Sequence, residues 1–124
     1  MTMKAVSSLL LRPLTQAIGA EVTGIDLAEG LSARQVASLH EALFDRHVLF
    51  FRNQQLDDSS HRAFAENFGE LMVHPFELAM GRTDPLHSIV DKPEDLPDRA
   101  GWHTDDSYLE RPPAIAVLRC DVAP

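Results

Sequence analysis

Cysteine is nearly absent from this chain, with one in 124 residues. A lone thiol cannot close an internal disulfide, so packing and hydrogen bonds must hold the fold, and a reducing cytoplasm is the expected compartment. Cys120 falls in the apolar run 114–120, where the expectation is a buried, inert thiol rather than a nucleophile. Long hydrophobic stretches are also missing. Nothing approaches the ~20 residues that cross a bilayer. The run Leu9, Leu10, Leu11 is stopped by Arg12 and Pro13, too soon for a signal-peptide core. Basic charge is scarce, with 11 Lys and Arg against 19 Asp and Glu and a net charge of −8. Such a surface repels phosphate backbones, which excludes nucleic acid as the main partner. There is no internal repeat and no low-complexity tract.

What is present is ordinary globular composition, 44% hydrophobic and 24% charged, at a length that allows one domain at most. Residues from about Val6 to Leu14 read as a first strand. Ile18, Ala20 and Val22 alternate with Glu21 and Thr23, the period of a half-buried strand. Ser32 and Gln35 are spaced as a capping box. They open a helix whose apolar stripe is Val36, Leu39, Leu43 and Phe44 and whose end lies near His47. Residues 48–51 form a short continuous apolar run, the mark of a buried strand. Asp57 or Asp58 starts a second helix with Phe64 and Phe68 on its inner face and Gly69 at its C-terminal cap. Further strands are expected at 86–90 and 114–120, separated by a charged, proline-marked loop over 91–101. The pattern is α+β with a mainly antiparallel sheet.

The candidate chemistry sits in Trp102, His103, Thr104 and Asp105. In an extended strand His103 and Asp105 project from one face, which makes two corners of the 2-His-1-carboxylate arrangement that holds non-haem Fe(II). A His-X-Asp pair also arises by chance among six histidines and 19 acidic residues, and a capped turn is the plainer reading. Trp102 and Tyr108 read as core packing. His40, His47 and His61 lie in or beside helices and read as surface or helix-face residues. A zinc site built from His103, Asp105 and another histidine is disfavoured because no other histidine has matching spacing.

In order along the chain, residues 18–27, 47–54, Phe68 to Leu71 with His74 and Pro75, 102–105, and Pro112 to Ala114 resemble the taurine dioxygenase/2,4-dichlorophenoxyacetate dioxygenase family. The likeness runs from about Leu11 to Pro124. The resemblance implies a double-stranded β-helix, a jelly roll with flanking helices, that is incomplete in this chain. It implies His103 and Asp105 as metal ligands, Fe(II) as metal, and 2-oxoglutarate and O2 as co-substrates. The reaction would hydroxylate a small anionic organic acid, with sulfonates and alkyl sulfates among the candidates, through a ferryl species with succinate and CO2 as co-products. His74 corresponds to a substrate-pocket position, against its plain reading as a turn histidine before Pro75. Glu77 and Arg99 stand where taurine-specific members carry an aromatic and an amide, so taurine itself is disfavoured. Arg99 is either an anion partner or a solvated loop residue.

The family's second iron histidine, its 2-oxoglutarate arginine and a co-substrate threonine have no counterpart in these 124 residues, so the cofactor-binding positions are expected beyond Pro124. The whole of 1–124 is therefore expected to be the N-terminal portion of a single oxygenase domain, inactive and unstable alone. The alternative is a non-catalytic remnant or interaction module. Association between copies is compatible with either.

Overall fold

The structure is a computed structural model that describes residues 4–6, 9–90 and 101–122. It divides into two compact units, residues 1–70 and 71–124.

The first unit is built on a four-stranded sheet in the order β1-β2-β3-β4, formed by Lys4–Val6 (β1), Leu9–Pro13 (β2), Ala20–Thr23 (β3) and Leu49–Phe51 (β4). The first two pairings are antiparallel and β3 pairs with β4 in parallel. That parallel step needs a crossover, which a 3-10 turn at Leu27–Glu29 and helix α1, Ala33–Arg46, supply. The single strand expected over 6–14 is two strands, because β1 folds back on β2 with Lys4 opposite Leu11. Gly19 turns the chain into β3 at φ +83°, a conformation that side chains disfavour. Its N–H donates to the Arg46 carbonyl at 2.8 Å.

Helix α1 starts as its sequence dictates. Ser32 accepts from the Gln35 backbone N–H, and the Gln35 side chain accepts from the Ser32 N–H at 2.9 Å. It ends at His47, whose left-handed φ of +64° leaves its N–H bonded to the Leu43 carbonyl. The buried face is Ser38, Leu39 and Ala42, with Val36 and Leu43 half-buried. Phe44, expected in the stripe, is 83% exposed. At 100° per residue it stands about 140° round the helix from Leu39. Ser38 tolerates burial by donating to the Arg34 carbonyl at 3.0 Å.

Helix α2, Asp58–Glu66, is capped by Asp57, which accepts from the Ser60 N–H and receives the Ser60 side chain at its own N–H. Its C-terminal cap is Asn67 rather than Gly69. Asn67 uses its side-chain amide on the carbonyls of Ala63 and Phe64. Phe64 is buried and meets Phe51 and Phe68 edge-on, each at 5.4 Å between ring centres. Leu9, Ala20, Val22, Leu27, Leu39, Ala42 and Phe64 form the core.

Three further expectations about burial in this unit are corrected. Glu21, on the polar side of the alternation expected of a half-buried strand, is only 8% exposed. Arg12 lies opposite it across β2 and β3, and Arg52 reaches its other oxygen at 3.3 Å. The two guanidinium groups satisfy the carboxylate and hold its pKa below the usual range despite burial. Phe50 is 44% exposed, so β4 alternates instead of being buried throughout. His61, expected as a surface or helix-face residue, is buried in α2.

The second unit contains the short helix α3, Pro75–Ala79, and otherwise turns and irregular chain among its described residues. No strand forms at 86–90 or 114–120, although both runs carry strand-forming residues. A strand needs a partner edge, and the described residues offer none there. Cys120 is exposed, not a core thiol. The loop expected over 91–101 lies outside the described residues except for Gly101. The α+β class holds. The described residues carry one mixed sheet, two of its three pairings antiparallel, and no jelly roll.

Candidate functional site

Every sequence-predicted site residue among the described residues belongs to the second unit. His103 and Asp105 do come together, with His103 Nε2 3.1 Å from Asp105 Oδ1. They do so without a strand: residues 101–104 are irregular and Asp105 opens a turn through Tyr108. The ring is held from its other side by Nδ1, 2.7 Å from the Gly101 carbonyl. A carbonyl only accepts, so Nδ1 carries a proton and the neutral ring keeps its lone pair on Nε2, facing the carboxylate. Two lone pairs at that distance repel unless a cation lies between them. The Gly101 carbonyl first, and the Asp105 charge next, raise the pKa of His103.

The same pair fits a divalent metal. Ligands about 2.1 Å from a small cation and at right angles lie about 3.0 Å apart, close to the observed separation. An imidazole nitrogen and a carboxylate oxygen suit Fe(II), and the Gly101 carbonyl provides the outer hydrogen bond that fixes a ligating ring. No group of three or more His, Cys, Asp or Glu is placed to hold a metal among the described residues. Both side chains are exposed, 67% and 57%. A cleft of ≈ 470 Å³ adjoins Asp105, lined by Thr104, Ser107, Pro112, Pro113 and Ala116 among others. Trp102, expected in the core, is fully exposed.

His74 caps α3. Its Nδ1 accepts from the Phe76 N–H at 3.1 Å, which accounts for a histidine placed just before Pro75 at the helix start. Its Nε2 lies 3.0 Å from Asp106 Oδ1 and 3.3 Å from the Tyr108 hydroxyl. Asp106 stands in left-handed backbone, φ +47°, and its side chain is 15% exposed. Tyr108 is 72% exposed, and its pKa is raised by partial desolvation and then by Asp106. Asp106 is the residue that sequence reasoning missed. The signal was the acidic doublet after Thr104, whose second member cannot share the first one's direction. Glu77 is engaged by Arg82 through two contacts and has His87 at 3.6 Å. Arg82 lowers its pKa. Arg99 lies outside the described residues.

The family model for the taurine catabolism dioxygenase TauD, TfdA family matches residues 10–124. An alkylsulfatase from Acinetobacter baylyi is 41% identical over 117 residues, which cover 94% of this chain and 36% of that protein. An alpha-ketoglutarate-dependent sulfate ester dioxygenase from Pseudomonas putida is 36% identical over 114 residues, or 90% of this chain and 37% of that protein. Among solved structures, AAD-2 in complex with Mn(II) and N-oxalylglycine superimposes with a TM-score of 0.61. It is 26% identical, over 84% of this chain and 34% of that one. The chain thus spans little more than a third of the length of the relatives it matches.

Proposed function

Since this chain belongs to the taurine catabolism dioxygenase TauD, TfdA family, whose enzymes use Fe(II) and 2-oxoglutarate, we propose that it carries the first half of an oxygenase metal site, with His103 and Asp105 as ligands. The observation that carries this reading is the 3.1 Å approach of His103 Nε2 to Asp105 Oδ1, with the ring's other nitrogen tied to Gly101. The remaining ligand and the residues that hold 2-oxoglutarate come from outside the described residues, and the complete protein closes the jelly roll around them. The bound metal supplies oxygen activation coupled to conversion of 2-oxoglutarate into succinate and CO2.

The residues of this chain orient that chemistry. The Gly101 carbonyl holds the His103 proton on Nδ1, so Nε2 stays free to ligate. Asp105 adds an anionic oxygen beside it and offsets the charge of the cation. The cleft next to Asp105, walled by Pro112 and Pro113, gives a small organic acid an apolar surface near the metal. Sulfate esters and sulfonates are the first classes to try, because relatives matched over nearly the whole chain are named for alkylsulfatase and sulfate ester dioxygenase activity.

The test is succinate formation by the complete natural chain, supplied with Fe(II), 2-oxoglutarate and a panel of sulfate esters, sulfonates and aryloxy acids. Substrate-dependent succinate that disappears in His103→Ala is the expected result. The competing reading, a non-catalytic remnant, draws on the missing third donor among the described residues. It requires that the complete natural chain bind no stoichiometric Fe(II).

A further inference from the structure

One face of the first unit's sheet carries two arginines around a single carboxylate. Arg12 on β2, Glu21 on β3 and Phe50 on β4 stand in one row of the register, and cross-strand neighbours share a face. Arg52, just past β4, reaches the same carboxylate. Glu21 is buried although Arg12, Thr23, Phe50 and Arg52 around it are exposed. Arg12 gives Nε and Nη2 to Glu21 Oε2, and Arg52 brings Nε to Oε1 at 3.3 Å. Among the described residues, Nη1 of Arg12 and both Nη atoms of Arg52 make no hydrogen bond. The two side chains are 58% and 64% exposed. Both are held in place. Glu21 ties their charged groups together, and Gln54 donates to the Arg52 carbonyl at 3.1 Å while accepting from the Leu27 N–H at 2.9 Å. Two cations against one anion leave a positive charge in excess, with donors already ordered and turned to solvent.

We propose that Arg12 and Arg52 form a binding site for an organic oxyanion, a carboxylate, sulfonate or sulfate group whose carbon part lies on Phe50. A guanidinium presents a planar fork that matches such a group, and it is weakly hydrated, so little is lost when it exchanges water for an anion. Anchoring by Glu21 reduces the ordering cost of binding. Phe50 supplies the apolar surface. It is 44% exposed and packs beside Gly19, where an added Cβ would sit 3.8 Å from its ring. The net charge of −8 opposes any anion, but charges farther off than about 8 Å are largely screened at physiological ionic strength. The local excess therefore decides. An ammonium group would meet like charge here, and an alcohol would forgo the charge-assisted bond. The site shares no residue with His103 and Asp105 and does not depend on the oxygenase reading.

The test uses the complete natural chain, free of metal, and follows the side-chain 15N signals of Arg12 and Arg52 during titration with hexanoate, acetate, hexan-1-ol and hexylammonium at constant ionic strength. Hexanoate should shift both signals saturably, and the alcohol and the amine should not. Arg52→Gln should weaken hexanoate at least about tenfold, the worth of one charge-assisted hydrogen bond. Arg12→Lys keeps a cation for Glu21 but loses the fork, and should weaken hexanoate while the protein stays folded. Glu21→Gln removes the competing carboxylate and should tighten hexanoate, the opposite of what a purely structural ion pair would give. Phe50→Ala should weaken hexanoate and leave acetate unchanged. No saturable shift at either arginine, an equal response to the alcohol or the amine, unchanged affinity in Arg12→Lys, or no gain in Glu21→Gln would overturn the proposal. Because binding is read without metal or turnover, its failure is distinct from a failure to form succinate.

Discussion

A histidine becomes a useful ligand only when something else decides where its proton sits. In this chain two histidines are handled in opposite ways. His103 keeps its proton on Nδ1, where it donates to a carbonyl, and turns Nε2 toward Asp105, whereas His74 accepts a backbone N–H at Nδ1 and keeps its proton on Nε2. The first suits a metal and the second suits an acceptor. In the complete protein, His103→Ala should weaken metal binding by more than the 10- to 100-fold typical of losing an outer hydrogen bond to a ligand, measured by Fe(II) or Mn(II) titration. Glu21 supplies a pH test at the same scale. Its folded pKa is depressed by Arg12 and Arg52, so its contribution to stability is complete above the unfolded carboxylate value of about 4.3. That contribution is lost as pH falls through the lower folded value. The urea midpoint should therefore drop with acidification across that window. In Glu21→Gln that part of the slope should vanish, and an unaltered slope would exclude the assignment.

Elements in the first unit owe their ends to local chemistry and their positions to a few buried groups. Ser32→Ala removes the α1 cap and should cost about 1 kcal/mol in urea unfolding, with little change in the folded spectrum. Leu39→Ala opens the centre of the core and should cost about 2–5 kcal/mol. An effect of Leu39→Ala no larger than that of Ser32→Ala would mean that α1 does not pack as described. Both helix starts were legible because a capping box is a contact between residues three apart, complete within the sequence that encodes it. The inner face of α1 was less legible. Phe44 is as apolar as Leu43, yet one step of 100° turns it away from the buried face, and hydrophobicity alone does not say where the stripe stops. His61 was misplaced for the same reason in reverse.

At the scale of the whole molecule, large apolar side chains remain uncovered: Phe44 at 83%, Leu118 at 86%, Val122 at 87% and Trp102 in full. Exposed apolar surface of this kind marks contacts with further protein or a tendency to associate. Residues 1–124 produced alone should bind a hydrophobic dye and sediment as associated species. Monomeric sedimentation with one cooperative unfolding transition would contradict this. No described helix is long and apolar enough to cross a membrane.

The sequence by itself determined the family, the starts of α1 and α2, the strand character within 9–13, 20–23 and 49–51, and the nearness of His103 to Asp105. Each of these rests on a motif or on residues close in the chain, so short-range sterics and hydrogen bonding suffice to specify it. Only the tertiary structure decided that Glu21 is buried between two arginines, that the runs 86–90 and 114–120 form no strand, that Cys120 is exposed, and that Asp106 occupies His74. Those outcomes depend on groups between 9 and more than 30 residues apart, or on whether a partner edge is present. No local pattern encodes the arrival of a distant guanidinium or carboxylate, nor the absence of a neighbouring strand.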